Sequence, residues 1–465
     1  MSTIATQRTF AAHRPFGIAG RDRAGRLGDW VAFLIPLSGA FVVSFGGTLP
    51  YTEIIFLLFF PILVLTDGQF LSPGHRVFDK AYRTAYILLG LWILSQTLTD
   101  IFVNASPIDR VKGLARVVFF ALDLVCIAAI IGTSVRRTKI FALGMVANYL
   151  YSDRFGGDYS VQWKMLVGPA VSIVVFLVAS HFYTRRQYGK MLLAVAALAA
   201  VNLHYASRSG MMIDLAAALL ILPIFPKATL KRHSFTRSRL GRVLLLFALT
   251  LAAIWVSQQI LKTAVNAGLF SESDQAKYEQ QSQGKLGIIF GGRPEGLVAI
   301  QAIMDSPFLG HGSYAVDSKY YVLLQEYRYK FGYVEGDDVD DVDSGIPTHS
   351  HLTMSWVEGG ALASLFWFYM LAQIGRSIIR LTENPHPLGP LYMFLLINLT
   401  WDILFSPYGL TRRMFEAFFL VIMINVLRSP PVSRERMDSR VGRNRLVLPR
   451  ARILRPVRSL RQLSS

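Results

Sequence analysis

Long apolar stretches separated by short charged breaks dominate the chain. A bilayer core takes roughly 17–25 mostly apolar residues per helix. Runs of that kind fall near 30–47, 50–66, 84–104, 114–132, 140–152, 165–183, 190–206, 211–226, 242–262, 352–373, 388–406 and 412–428. The pattern predicts an all-α polytopic membrane protein of about 12 transmembrane helices, counted from those runs. The run at 140–152 is short and holds Gly144 and Asn148; without it the count is odd. Helices 1–9 would fill 30–262, a large loop 263–350, and helices 10–12 the stretch 351–428. Residues 1–29 read as a basic cytoplasmic N-terminus with no apolar run of their own, and 429–465 as an arginine-rich cytoplasmic tail.

Composition agrees with this class. Of 465 residues, 52% are hydrophobic and 17% charged, and the mean hydropathy is +0.39. Soluble domains average about 45–50% apolar and about 25% charged. The net charge of +18 is unevenly placed. With an even number of spans both termini are cytoplasmic, and the segments on that side carry 33 Lys and Arg against 7 acids. The loop 263–350 faces the other way with six Lys or Arg and thirteen acids. The cytoplasmic charge reads as a topology determinant in contact with anionic membrane lipid; nucleic acid is not expected as a partner. The single cysteine, Cys126, excludes an intramolecular disulfide framework and a Cys-based metal site. The loop is too long for a mere connector. Within it Leu297, Ile300 and Met304 have helical spacing, and Glu335 to Asp343 reads as a solvated acidic lid without the ordered ligand pattern of a calcium loop.

Basic residues on the outward side need a reason. Arg110, Lys112, Arg116, Arg154, Lys164, Arg208, Arg412 and Arg413 lie at outer helix ends, and Arg293 lies in the loop. Taken singly they read as side chains snorkelling to headgroups. As a set they suit an anionic substrate, because the planar guanidinium gives paired, permanently charged hydrogen bonds to a diphosphate. Of the intramembrane acids Asp123, Asp214, Asp402 and Glu416, Asp123 shares a helix face with Arg116 and Glu416 with Arg412, and each would orient its arginine rather than relay protons; Asp214 follows Arg208 by six residues. His349 and His351 stand where span 10 begins; one of them would take a hydroxyl proton, or the pair has no role.

Three motifs in this order resemble the O-antigen ligase and polysaccharide polymerase superfamily. They are Ser207-Arg208-Ser209-Gly210; Gly291-Gly292-Arg293-Pro294-Glu295 leading to Asp305-Ser306-Pro307-Phe308-Leu309-Gly310-His311-Gly312-Ser313; and His349-Ser350-His351 followed by Trp356-Val357-Glu358-Gly359-Gly360. The resemblance covers about residues 200–370 and implies a GT-C-like, metal-independent inverting glycosyltransferase of the bacterial inner membrane. It would act at the periplasmic face without a cofactor. Its donor would be an undecaprenyl-diphosphate-linked glycan, its acceptor a glycan hydroxyl, with a chain-length regulator as a possible partner. By matching position His349 is the base and Arg208 and Arg293 hold the diphosphate; His351, Arg116, Arg412 and Glu358 complete the expected substrate-binding set. Ser350 and Thr353 depart from the family's Asn and Leu, which leaves His351 as a second candidate base.

Polymerase and ligase share donor and mechanism, and an exopolysaccharide or O-antigen polymerase is slightly favoured by the His-x-His form. The rival from another class is a transporter or flippase for a polysaccharide or anionic lipid, which would need paired interrupted helices near the midplane.

Overall fold

The computed structural model describes residues 18–44, 47–68, 78–152, 159–205, 207–222, 294–330, 345–409 and 412–429, with 259, 262, 263, 266 and 268. Fourteen α-helices are seen among these residues, with a 3-10 turn at Lys80–Tyr82 and a π-helical stretch. The first is α1 (Ile18–Ser38), followed by a small antiparallel hairpin of β1 (Val42–Ser44) and β2 (Thr48–Pro50), then α2 (Tyr51–Leu65). Next come α3 (Arg83–Phe102), α4 (Pro107–Ile131), α5 (Val135–Tyr151) and the single turn α6 (Tyr159–Gln162). A π-helical stretch, Trp163–Val167, leads into α7 (Gly168–Thr184), α8 (Tyr188–His204) and α9 (Arg208–Ile221). Beyond these lie α10 (Pro294–Asp305), α11 (Ser318–Lys330), α12 (His351–Glu383), α13 (Gly389–Phe405) and α14 (Arg413–Arg428).

Four helical segments are long and apolar enough to cross a membrane: Lys80–Phe102, Pro107–Ile131, Trp163–Thr184 and His351–Glu383. Shorter apolar helices are Tyr51–Leu65, Tyr188–His204 and Gly389–Phe405. This is a predominantly helical, membrane-associated protein. Its core sits where α4 and α14 pack together, each buried along nearly its whole circumference past the first turns. A helix that is apolar all round belongs in an interior. Around them pack α2, α12 and α13, with α3 against α12. Outward-facing side chains on α2 and α3, among them Leu58, Leu65 and Phe102, stay exposed. Apolar surface of that kind suits contact with lipid.

Several expected boundaries move. The helix read at 30–47 starts at Ile18 and stops at Ser38. Gly39 packs too close to Asn148 and Thr52 to take a side chain, and Val42 and Val43 then pair as strand rather than continue the helix. The helix read at 352–373 runs on to Glu383, absorbing most of the expected 374–387 loop. The expected span at 242–262 and the acidic stretch 335–343 lie outside the described residues, isolated positions apart. Within the loop, the helix expected near 296–305 forms as α10, but on another face. Ile300 and Met304 are exposed, while Val298, Ala299 and Ala302 are buried against Tyr320, Leu324 and Val357. The small alanines permit the close approach that the larger residues would block.

Candidate functional site

A cavity of ≈ 370 Å³ opens among α5, the π-helical stretch, α7, α9, α13 and α14. Its polar lining includes Asn148, Ser152, Lys164, Asn202, Ser207, Ser209, Asp214, Asn398, Asp402, Ser406, Arg412 and Glu416. The Ser207-Arg208-Ser209-Gly210 motif begins α9, so the positive end of that helix's dipole lies at this wall. Asn202 is fixed between two partners: Trp163 Nε1 donates to its Oδ1 at 2.8 Å, and its Nδ2 donates to Asp214 at 2.7 Å. The π-helical stretch that carries Trp163 also carries Lys164, which lines the cavity. Wider turns of this kind recur at functional sites because they re-aim side chains.

On the opposite wall, Arg412 pairs with Asp402, which also accepts from Asn398 Nδ2 at 2.9 Å. Glu416, one turn into α14, pairs through Oε1 with His351 Nε2. His351 is 0% exposed and begins α12, with Ser350 as its N-cap accepting from Thr353 N at 2.9 Å. Its Nδ1 lies 2.6 Å from the Ser406 carbonyl. A carbonyl only accepts, so Nδ1 carries the proton and Nε2 is the atom turned to Glu416. The rings of Trp367 and Tyr408 clamp the imidazole at centroid distances of 5.1 and 5.0 Å.

The other expected residues are placed differently. Arg116 and Glu358 pair with each other at 3.1 Å. Arg116 also reaches Met354 Sδ at 3.0 Å and lies under the Tyr314 ring. Among the described residues neither Arg116, Glu358, Arg208 nor His349 lines the cavity, although Ser207 and Ser209 flank Arg208 and do. Arg208 and His349 are both half-buried. Arg293 lies outside the described residues, as does Arg154. Arg110 serves the turn before α4, donating to the Ala105 carbonyl at 2.7 Å and to Asn104 at 3.0 Å. Arg413 pairs with Glu53 of α2 at 2.6 Å. Among the described residues the cations expected to face outward do not gather as one cluster: Lys164 and Arg412 reach the cavity in the company of Asp214, Asp402 and Glu416. Glu416, expected to orient Arg412, pairs instead with His351, and Asp214 accepts from Asn202. Asp123 makes no hydrogen bond among the described residues. Glu416 meets His351 because α12 packs on α14, while Asp123 and Arg116, seven residues apart on α4, stand about 10 Å apart along its axis.

The second motif is a structural joint. Its turn, Ser306 to Ser313, docks on α12 where that helix breaks at Gly360 (φ 74°, ψ −172°). His311 N donates to the Val357 carbonyl at 2.6 Å and Gly312 N to the Glu358 carbonyl at 3.0 Å. A Cβ on Gly360 would lie 2.0 Å from the Phe308 carbonyl oxygen. Asp100 of α3 accepts from Ser313 N at 2.6 Å and Oγ at 2.7 Å, and Ser95 donates to the Gly359 carbonyl. Asp305 holds α10 to α11: hydrogen bonds from Lys319, Tyr320 and Gln301 keep its carboxyl low, at about 2.

Sequence reasoning missed Asn202, Asn148, Asn398 and Lys164 with its π-helical turn as parts of one cavity. Polar amides inside apolar runs were the available signal. No protein-family model matches this chain, and no curated protein and no solved structure matches it.

Proposed function

We propose that the protein is a membrane glycosyltransferase that moves a glycan from a polyprenyl diphosphate, undecaprenyl diphosphate being the form its resemblance implies, to a sugar hydroxyl in this cavity. The proposal includes the twelve-helix, GT-C-like arrangement in the bacterial inner membrane with the site on the periplasmic side. The observation that carries it is convergence. The Ser207-Arg208-Ser209-Gly210 motif and the segment opened by His349-Ser350-His351, about 140 residues away in sequence, reach one cavity, the first directly and the second through Glu416. The intervening Ser306–Ser313 turn is built onto the same α12. Lys164, Arg412 and the start of α9 supply the positive end for a diphosphate that gains charge as its bond to the sugar breaks. Attack of the hydroxyl oxygen on the anomeric carbon from the far side inverts that centre. The resemblance assigns Arg208 and Arg293 to the diphosphate and His349 to the acceptor proton, whereas in this cavity Arg208 and His349 are not among the lining residues and Lys164 and Arg412 are; a polymerase is favoured slightly over a ligase.

The test is transfer in proteoliposomes supplied with a defined polyprenyl-diphosphate oligosaccharide and read on a product gel. Wild-type protein should give elongated or ligated product, and Arg412→Ala should lower kcat/KM by about 10²-fold or more, the scale for losing one charge-stabilising group. Absence of product from wild type with donors and acceptors of its own host's glycans contradicts the reading.

A second reading has one observation in its favour. Three carboxylates line the cavity and α12 is interrupted at Gly360, features also used by coupled transporters. It predicts movement of the intact lipid-linked glycan across the bilayer without any new glycosidic bond.

A further inference from the structure

We infer that Glu416 is the group that takes the acceptor hydroxyl's proton, and that His351 acts behind it as a positioning residue. This rests on the glycosyltransferase reading and gives Glu416, which lines the cavity, the proton-accepting role that the resemblance assigns to His349, which does not; the sequence left Glu416 as an arginine's partner.

Four observations carry it. Glu416 is 1% exposed yet lines the cavity. Its two oxygens differ: Oε1 is taken by His351 Nε2, while Oε2 has no hydrogen-bond partner among the described residues. A buried acceptor left unfilled is costly, so such atoms call for a ligand group. His351 cannot reach substrate itself, being 0% exposed with both ring nitrogens engaged. Its Nδ1–H is anchored on the Ser406 carbonyl, its ring is clamped by Trp367 and Tyr408, and so its Nε2 has one direction in which to act. Finally, Arg412 is drawn to Asp402 rather than to Glu416, which keeps Glu416 from being spent in a salt bridge to it.

The step balances as follows. The acceptor oxygen forms a bond to the anomeric carbon. The bond from that carbon to the diphosphate oxygen breaks, and its electron pair leaves on the diphosphate. The hydroxyl proton passes to Glu416 Oε2. The proton shared between Glu416 Oε1 and His351 Nε2 settles on His351, whose charge offsets that of the departing group nearby. Orientation of one carboxylate oxygen by a buried neighbour is the same arrangement by which a third group orients a base elsewhere.

The experiment uses the full-length protein in proteoliposomes with a polyprenyl-diphosphate oligosaccharide as donor. Glu416→Gln should lower kcat by about 10²–10⁴-fold, the range for removing a general base, while KM for donor moves less than about threefold. Glu416→Ala should regain part of its rate when formate or azide is added as a small external base, which a merely structural role would not allow. His351→Gln should move the acid limb of the kcat/KM pH profile by at least about one unit. Retention of kcat within about threefold in Glu416→Gln overturns the inference, as does an unmoved limb in His351→Gln. Should Glu416→Gln fail to accumulate in the membrane, formate rescue of Glu416→Ala and the His351→Gln profile decide alone, and absence of both effects overturns it. Active wild type with unaffected variants leaves the glycosyltransferase reading standing; inactive wild type removes both.

Discussion

Arg116 and Glu358 neutralise each other with side chains only 7% and 13% exposed. Removing one partner leaves the other charge buried and alone, which costs about 3–5 kcal/mol, whereas replacing both with apolar or neutral groups of like shape costs little. Arg116→Ala should therefore lower the melting temperature in detergent sharply, and Arg116→Met combined with Glu358→Gln should restore most of it. An equally unstable double variant would show that the pair does more than neutralise. His386, between α12 and α13, carries a pH signal. Burial pushes its imidazole down to about 4, and its Nδ1 accepts from Leu388 N at 3.1 Å, a bond that protonation would break. The unfolded chain's imidazole titrates near 6.5, so between about 6.5 and 4 the unfolded state binds the proton first. Stability is full above that window and falls with pH through it. His386→Asn, which keeps an acceptor for Leu388 N–H, should flatten this part of a melting-temperature profile.

At the scale of elements, the interrupted helix α12 organises the site. Its first turns present His351 toward Glu416, and its break at Gly360 receives the Ser306–Ser313 turn. A side chain at Gly360 meets both a backbone conformation that costs about 1–3 kcal/mol for any other residue and a carbonyl already in contact. Gly360→Ala should displace the turn and lower the yield of folded protein. Gly296→Ala in α10 meets nothing within 4 Å and should be neutral or stabilising by about 0.5–1 kcal/mol. Melting curves of the two variants side by side check this. The existence of most helices was legible because apolar runs are long and charge breaks abrupt. The ends of α1 and α12 were not: a glycine crowded by Asn148 and Thr52, and a helix supported past its apolar run, are tertiary facts. In α10 the face was misread because alanines buried by close packing leave a weaker pattern than exposed Ile300 and Met304.

Across the whole molecule, the candidate site was partly legible. Ser207, Ser209 and Arg412 line the cavity and His351 abuts its wall through Glu416, while Arg208 and His349 are not among the lining residues. The pairing scheme was not legible, since Glu416 with His351, Arg413 with Glu53 and Arg116 with Glu358 each join segments far apart in sequence. Charge placement at this scale also differs from the expectation of a cation well, because carboxylates accompany Lys164 and Arg412. Under the proposed function, a polar, mixed lining rather than net positive potential would recognise the donor, and its binding should weaken only modestly with salt. A donor-affinity series in rising salt tests that, a steep loss contradicting it. The central claim is that this cavity receives the lipid-linked glycan. It is tested most directly by photolabelling the protein in proteoliposomes with a polyprenyl-diphosphate oligosaccharide bearing a photoreactive group beside the diphosphate, then mapping the adducts by mass spectrometry. Adducts on the segments 161–173, 202–214 and 402–419 are predicted; labelling confined to other segments, with these unmarked, would contradict the account.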